Sequence, residues 1–393
     1  MMKLSPDRLR GRFFIFPVAL ISDATTGLLS ISVPVLAYHL GASALELGII
    51  GASFAIIYCF APAIMGVVSD LFGYRRLTTA ALLLRGALCL IYPFTTTPLH
   101  LVLVRVLDGL FLSLLWPSLE AFVATLYASN VDSGLKRFNV AWGLGWVVGP
   151  LLAGILLTLA LKLPFFVASV LNLVLGGICI ATLEDPPRVQ STTFGEPHVE
   201  IHGLDRLVAA ITVFASSFVV GSVLAFFPAQ AVSAEISPLD VGMMGLAFGA
   251  LRAVSFSLMG PTGRGAAGHR RTVSGCLLMS LAMAPFWLQY RGPAYYLGFA
   301  LLGSGSAIAY SASISLMLRG EGGRKGLRSG VFESSLGLGY LAGPLAGGVT
   351  TSVEPAAIYF LNLIVGIVVA FVILLSGLLH SLLLRHNVER DEE

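Results

Sequence analysis

The chain reads as an all-α integral membrane protein of twelve transmembrane helices, arranged as two six-helix parallel pseudo-repeats. Three observations lead there. Of its 393 residues, 56% are hydrophobic and only 11% are charged, against about a quarter charged in soluble domains; mean hydropathy is +0.88. Apolar runs that can cross a bilayer, about 20 residues each, recur along the whole length. Finally, Gly143-Leu-Gly-Trp-Val-Val-Gly-Pro-Leu-Leu-Ala-Gly154 returns as Gly337-Leu-Gly-Tyr-Leu-Ala-Gly-Pro-Leu-Ala-Gly-Gly348, displaced by 194 residues. The net charge of +3 gives no argument for nucleic acid, because the basic residues lie in the loops. The expected surroundings are the lipid bilayer.

The first run, 13–38, follows Lys3, Arg8, Arg10 and Arg12. It is too long for the apolar region of a signal peptide, contains Asp23 and shows no small-residue cleavage site, so it is expected to be retained as the first span. Further spans are expected at 47–68, 77–93, 99–125, 138–160 and 164–183, then at 206–231, 241–262, 272–290, 294–318, 328–350 and 356–384. Between the sixth and seventh lies a Pro-rich stretch of mixed charge. It divides the chain into an N-terminal bundle (1–183), a linker (184–205) and a C-terminal bundle (206–393). One set of loops and ends carries Arg8, Arg75, Arg76, Arg137, Arg188, Arg270, Arg324 and Arg385 among others, while the opposite set carries only Lys162 and Arg291. By the bias of basic residues toward the inner side, both termini and the linker are expected in the cytoplasm.

The displacement of 194 extends beyond the Gly-Pro stretch. Ser43-Ala-Leu-Glu-Leu-Gly-Ile-Ile-Gly-Ala-Ser-Phe54 matches Ser237-Pro-Leu-Asp-Val-Gly-Met-Met-Gly-Leu-Ala-Phe248, Pro34 falls on Pro228, and Gly109 falls on Gly303. One fixed offset at several separated places implies an internal duplication. Six helices return the chain to the side it started from, so the repeats are parallel, as in transporters whose two bundles face each other across a midplane site.

After the second span comes Gly66-Val-Val-Ser-Asp70-Leu-Phe-Gly73-Tyr-Arg75-Arg76. Here the chain resembles the major facilitator superfamily, whose loop between helices two and three reads G-x-x-x-D-R/K-x-G-x-R/K-R/K; Leu71 departs from it. The resemblance implies a conformational latch at Asp70, a carboxylate able to sit against the positive end of a helix. From the residues alone, a turn carrying inner-side arginines is the other reading. Arg105-Val-Leu-Asp108-Gly109 is similar to the superfamily's R-x-x-Q-G, with Asp108 in place of Gln; in drug-exporting members this Arg is implicated in proton transfer. Gly145, Gly149, Pro150 and Gly154 resemble the helix-five pattern of proton-coupled exporters, and Gly339, Gly343, Pro344, Gly347 and Gly348 form its second copy. Close packing of two helices would call for the same glycines.

Ionisable residues at membrane depth need a partner or a wet cavity. Asp108, three residues on, is the nearest partner for Arg105. Helical spacing groups Asp23 with Thr26, Gly27, Ser30 and Pro34, and Arg105 with Trp116 and Glu120. Asn139 aligns with Trp146 and Pro150, as its repeat equivalent Glu333 does with Tyr340 and Pro344. Helix assignments taken from the superfamily put Asp23, Trp116 and Arg252 near the centre of the cavity, and Glu120 and Glu333 toward its cytoplasmic end. Asp23 is read either as the proton-coupling group, with Arg252 opposite, or as half of a structural Asp–Arg pair or a local polar cap. Arg85 is read as packing or snorkelling.

Cys59, Cys89, Cys179 and Cys276 have neither metal nor disulfide spacing. No cofactor, metal site, nucleotide loop or nucleophile motif is found, so an enzyme is not expected. The expected function is movement of a small molecule by alternating access, as a proton-coupled exporter, with uptake of a metabolite by symport or facilitation as the alternative. The protein is expected to act as a monomer.

Overall fold

The computed structural model describes residues 6–127, 131–184, 203–259, 266–289, 292–317 and 325–391. They form thirteen α-helices and one short 3-10 turn. Nine of these helices are each long and apolar enough to cross a membrane.

The N-terminal half holds α1 (Pro6–His39), α2 (Ala44–Tyr58), α3 (Ala61–Phe72), α4 (Tyr74–Cys89), α5 (Pro98–Leu126), α6 (Val131–Leu159) and α7 (Leu163–Thr182). The C-terminal half holds α8 (Gly203–Ser233), α9 (Pro238–Leu258), α10 (Ala266–Trp287), α11 (Pro293–Met317), α12 (Lys325–Val353) and α13 (Ala357–Asp391). The second expected span is divided into α2 and α3. Pro62 stands in the first turn of α3, where its missing N–H and fixed φ are tolerated but a continuous helix is not. The linker interior, 185–202, lies outside the described residues, and α8 begins three residues ahead of the expected boundary.

The start of α2 shows how the sequence sets a helix end. Ser43 caps it, accepting from the Glu46 N–H, while the Glu46 carboxylate accepts from the Ser43 N–H at 2.8 Å. This reciprocal pair satisfies two orphan donors. At the repeat position Ser237 accepts from the Asp240 N–H at 3.1 Å.

Within each half the Gly-Pro helix packs on the first helix of that half, α6 on α1 and α12 on α8. A Cβ at Gly149 would strike the Ala24 carbonyl, and one at Gly343 the Phe218 carbonyl; these two pairs are themselves 194 apart. Between the halves the same two helices cross over, α6 onto α9 and α12 onto α2. A Cβ at Gly242 would lie 2.7 Å from the Pro150 carbonyl, and one at Gly48 would lie 2.5 Å from the Pro344 carbonyl. Gly154 and Gly348 complete these contacts from the other side. The glycines let backbones approach where a side chain would hold them apart. Both uses of the motif are therefore present, within a half and across the seam.

Candidate functional site

Near Ser43 and Ser237 the seam is joined by Gly48 and Gly242 against the Pro344 and Pro150 carbonyls, and farther along it the Ser334 hydroxyl donates to the Cys59 carbonyl at 3.1 Å. Rings bridge it near mid-depth: Trp146 meets Phe248 at 5.6 Å between centroids, Phe54 meets Tyr340 at 5.7 Å, and Trp142 meets Tyr310 at 6.2 Å. Below them Glu120 and Asn139 are exposed and Glu333 is half-buried.

Against this seam lies a cavity of about 160 Å³. Thr26, Ser30 and Pro34 of α1 face it, with Phe54 and Tyr58 of α2, Arg105 and Trp116 of α5, Trp146 of α6 and Tyr340 of α12. Asp23 does not share that face of α1, contrary to the sequence grouping. Its Cβ lies against α6, where a Cβ at Gly145 would meet it at 2.7 Å, and Gly27 stands against Pro150. A helix face spans about 100°, and the first helix presents one stripe to the cavity and a neighbouring stripe to α6.

Behind the cavity is a charged triad. The Asp108 carboxylate accepts from Arg105 Nη1 at 2.7 Å and from Arg85 Nε at 2.8 Å. Arg85 Nη1 also donates to the Ser22 carbonyl and the Thr25 hydroxyl, each at 3.2 Å. Arg85 is only 1% exposed, so of the two roles expected of it snorkelling is excluded; it packs inside the bundle, where its charge ties α4 to α5 and α1. A cation enclosed in an apolar run needs a fixed counter-charge, and that requirement was the signal available in the sequence. Arg105, at 15% exposed, reaches from the triad into the cavity, its guanidinium 4.8 Å above the Phe54 ring centre.

A second cluster lies across the seam. Arg252, 8% exposed, is enclosed by rings, with its guanidinium carbon 4.8 Å from the centre of Trp142, 5.5 Å from Phe256 and 5.8 Å from Phe248. Cation–π attraction offsets part of its lost hydration. Asp23 is 2% exposed and feels Arg252, Arg85 and the Trp142 side chain. Among the described residues no ion pair within 4.0 Å joins Asp23 to Arg252, and Asp23 Oδ2 lacks a hydrogen-bond partner. The sequence reading missed Trp142 as the element linking these two charges.

The sequence-identified residues thus fall into three groups: Arg105 and Trp116 at the cavity with Asp108 behind Arg105, Asp23 and Arg252 around Trp142, and the exposed Glu120 and Asn139 with the half-buried Glu333. Of the latch motif, Gly73 adopts φ 98° as the break between α3 and α4, a backbone that favours glycine, and Arg75 donates to the Ile180 carbonyl at 2.6 Å. Arg76 is exposed; the Asp70 side chain and the surroundings of Gly66 lie outside the described residues. Among the described residues no group of three or more His, Cys, Asp or Glu could hold a metal.

Two duplicated bundles meeting at a largely apolar cavity with one arginine in its wall form an architecture suited to membrane transport. The profile of the Major Facilitator Superfamily matches residues 15–319, and the chain belongs to that family. An uncharacterized MFS-type transporter of Methanocaldococcus jannaschii is 24% identical over 376 residues, covering 92% of this chain and 96% of that protein. Multidrug resistance protein 1 of Bacillus subtilis is 27% identical over 39% of this chain and 40% of its own length, and the class C tetracycline resistance protein of Escherichia coli is 29% identical over 34% of each. Among solved structures, a bacterial homologue of the human lysosomal transporter Spinster, in an inward-facing and unoccupied conformation, superposes with a TM-score of 0.74 at 11% identity, covering 95% of this chain and 98% of that one. The nucleoside transporter NupG superposes with a TM-score of 0.69 at 11% identity, covering 93% and 98%.

Proposed function

We propose that this transporter expels a small molecule in exchange for protons, rocking its two bundles about the mid-depth cavity. The observation that carries the reading is Asp23: an enclosed carboxyl with one unpartnered oxygen, placed beside Trp142 and facing the cation of the opposite bundle. A group so placed can exchange a proton as the seam opens and closes, because moving it relative to Arg252 changes which protonation state is favoured. Partial resemblance to two resistance proteins supports outward movement. The basic residues assign the end bearing the chain termini to the cytoplasm. Glu120 and Glu333 act as gate residues at that end, and Asp70 as the latch. The protein sits in the cytoplasmic membrane with both termini inside and acts as a monomer.

In everted vesicles, an imposed pH gradient is expected to drive labelled substrate into the lumen, and Asp23→Asn to abolish the gradient dependence while leaving exchange intact. Gradient-driven transport by the Asn variant at the wild-type rate would remove Asp23 from the coupling role. Accumulation in right-side-out vesicles instead would favour uptake, the second reading.

A further inference from the structure

The charges around the cavity do not balance, and the imbalance points at a ligand. Arg85 and Arg105 share the single carboxylate of Asp108, so the triad carries one positive charge in excess. Of its two cations, Arg85 is enclosed at 1% exposure, whereas Arg105 at 15% opens onto the cavity. Neither Asp nor Glu is among the residues lining that cavity, where Arg105 is the formally charged side chain. Among the described residues the other buried arginine, Arg252, belongs to the Asp23 cluster and is covered by rings.

An uncompensated charge at membrane depth costs several kcal/mol or more, and a fork-shaped guanidinium matches carboxylate geometry. Around it the walls are apolar and aromatic, with Phe54, Trp116, Trp146 and Tyr340 converging on the space beside the guanidinium. We infer that the cavity takes a lipophilic monoanion, an aromatic or aliphatic body bearing one carboxylate or sulfonate that pairs with Arg105. The inference rests on the transporter reading for its biological sense, but it concerns binding and is tested separately from transport.

The test measures affinities of the purified full-length protein for benzoate, 2-naphthoate and anthracene-9-carboxylate, each beside its neutral amide and its methylammonium analogue. For at least one body the carboxylate is expected to bind roughly tenfold or more tighter than the amide, since a charge-assisted pair contributes about that factor, and the ammonium to bind weakest. Arg105→Gln is expected to erase the carboxylate preference while keeping the amide affinity, which also shows that the pocket is folded; Asp108 retains Arg85 in that variant. Arg105→Lys is expected to recover part of the preference. Equal or tighter binding of the amide or ammonium in every series, no binding by any series, or an undiminished preference in Arg105→Gln would each overturn the assignment. The two readings fail separately. Gradient-driven export of a neutral or cationic compound alone would sink the anion site and spare the transporter, whereas carboxylate binding without translocation would do the reverse.

Discussion

Arg85 and Asp108, 23 positions apart and on different helices, are joined at 2.8 Å in a site where each is 1% exposed. Removing one partner of such a pair costs about 3–5 kcal/mol, because the other charge is left uncompensated. Asp108→Asn strands two guanidiniums and is expected to lose at least that much; Arg105→Gln leaves the Arg85 pair intact and is expected to lose less. Unfolding midpoints in detergent check the order. Equal losses would mean that the triad does not behave as one unit.

Across the seam, Gly48 and Gly242 make equivalent backbone contacts with Pro344 and Pro150. A leucine at either position would hold the bundles apart at the end bearing Ser43 and Ser237, with over-packing costing about 1–3 kcal/mol in the closed arrangement. Spin labels placed on Ala42 and Ser237 are expected to report a longer distance in Gly48→Leu and Gly242→Leu than in the parent. An unchanged distance distribution would show that the contact does not govern closure.

Trp142 serves Arg252 with its ring face at 4.8 Å and stands beside Asp23. Trp142→Phe keeps a ring for the cation, so stability is expected to fall by less than about 1 kcal/mol, while Trp142→Leu loses roughly 0.5–2 kcal/mol of cation–π attraction. Both variants change the side chain that stands beside Asp23, and both are expected to weaken gradient-driven transport. Full transport by Trp142→Phe would separate Trp142 from the coupling.

At the end of α2, outside the span, the Ser43 N–H and hydroxyl hold the Glu46 carboxyl below its ordinary value of 4.5. A lowered folded-state pKa contributes stability above the unfolded value and loses it as pH falls through the folded one. The capping contribution is therefore expected to be whole above about pH 4.5 and to fade below it. Melting curves of the parent and Glu46→Gln should differ at about pH 6 and converge as the pH is lowered toward about 3. The difference will be small, because the side chain is exposed.

Much of this architecture was legible in the one-dimensional pattern. The offset of 194 paired Gly149 with Gly343 and Gly48 with Gly242 before any coordinates, because a duplicated close contact requires a missing side chain in both copies. Asp108 was identifiable as a partner for Arg105 because residues three apart adjoin on a helix. What the pattern could not show was Arg85 on the other side of the same carboxylate, since helical periodicity gives a residue's bearing about its own axis but not which neighbour stands there. The same limit merged Asp23 with Thr26 and Ser30, which face different neighbours. The division of the second span at Pro62 was open to view, but hydropathy averages across a break without registering it.

The end of the seam bearing Ser43 and Ser237 has one property that follows from its construction. Its contacts join backbone carbonyls, glycine Cα atoms and proline rings, none of which gains or loses a proton or attracts a salt ion. Those contacts themselves should be the same in acid and in base. Responsiveness to pH has to enter through side chains that titrate, so the barrier and the sensor are made of different matter. A single methyl group added at Gly48 or Gly242 could then change how long the protein stays shut without altering what it responds to.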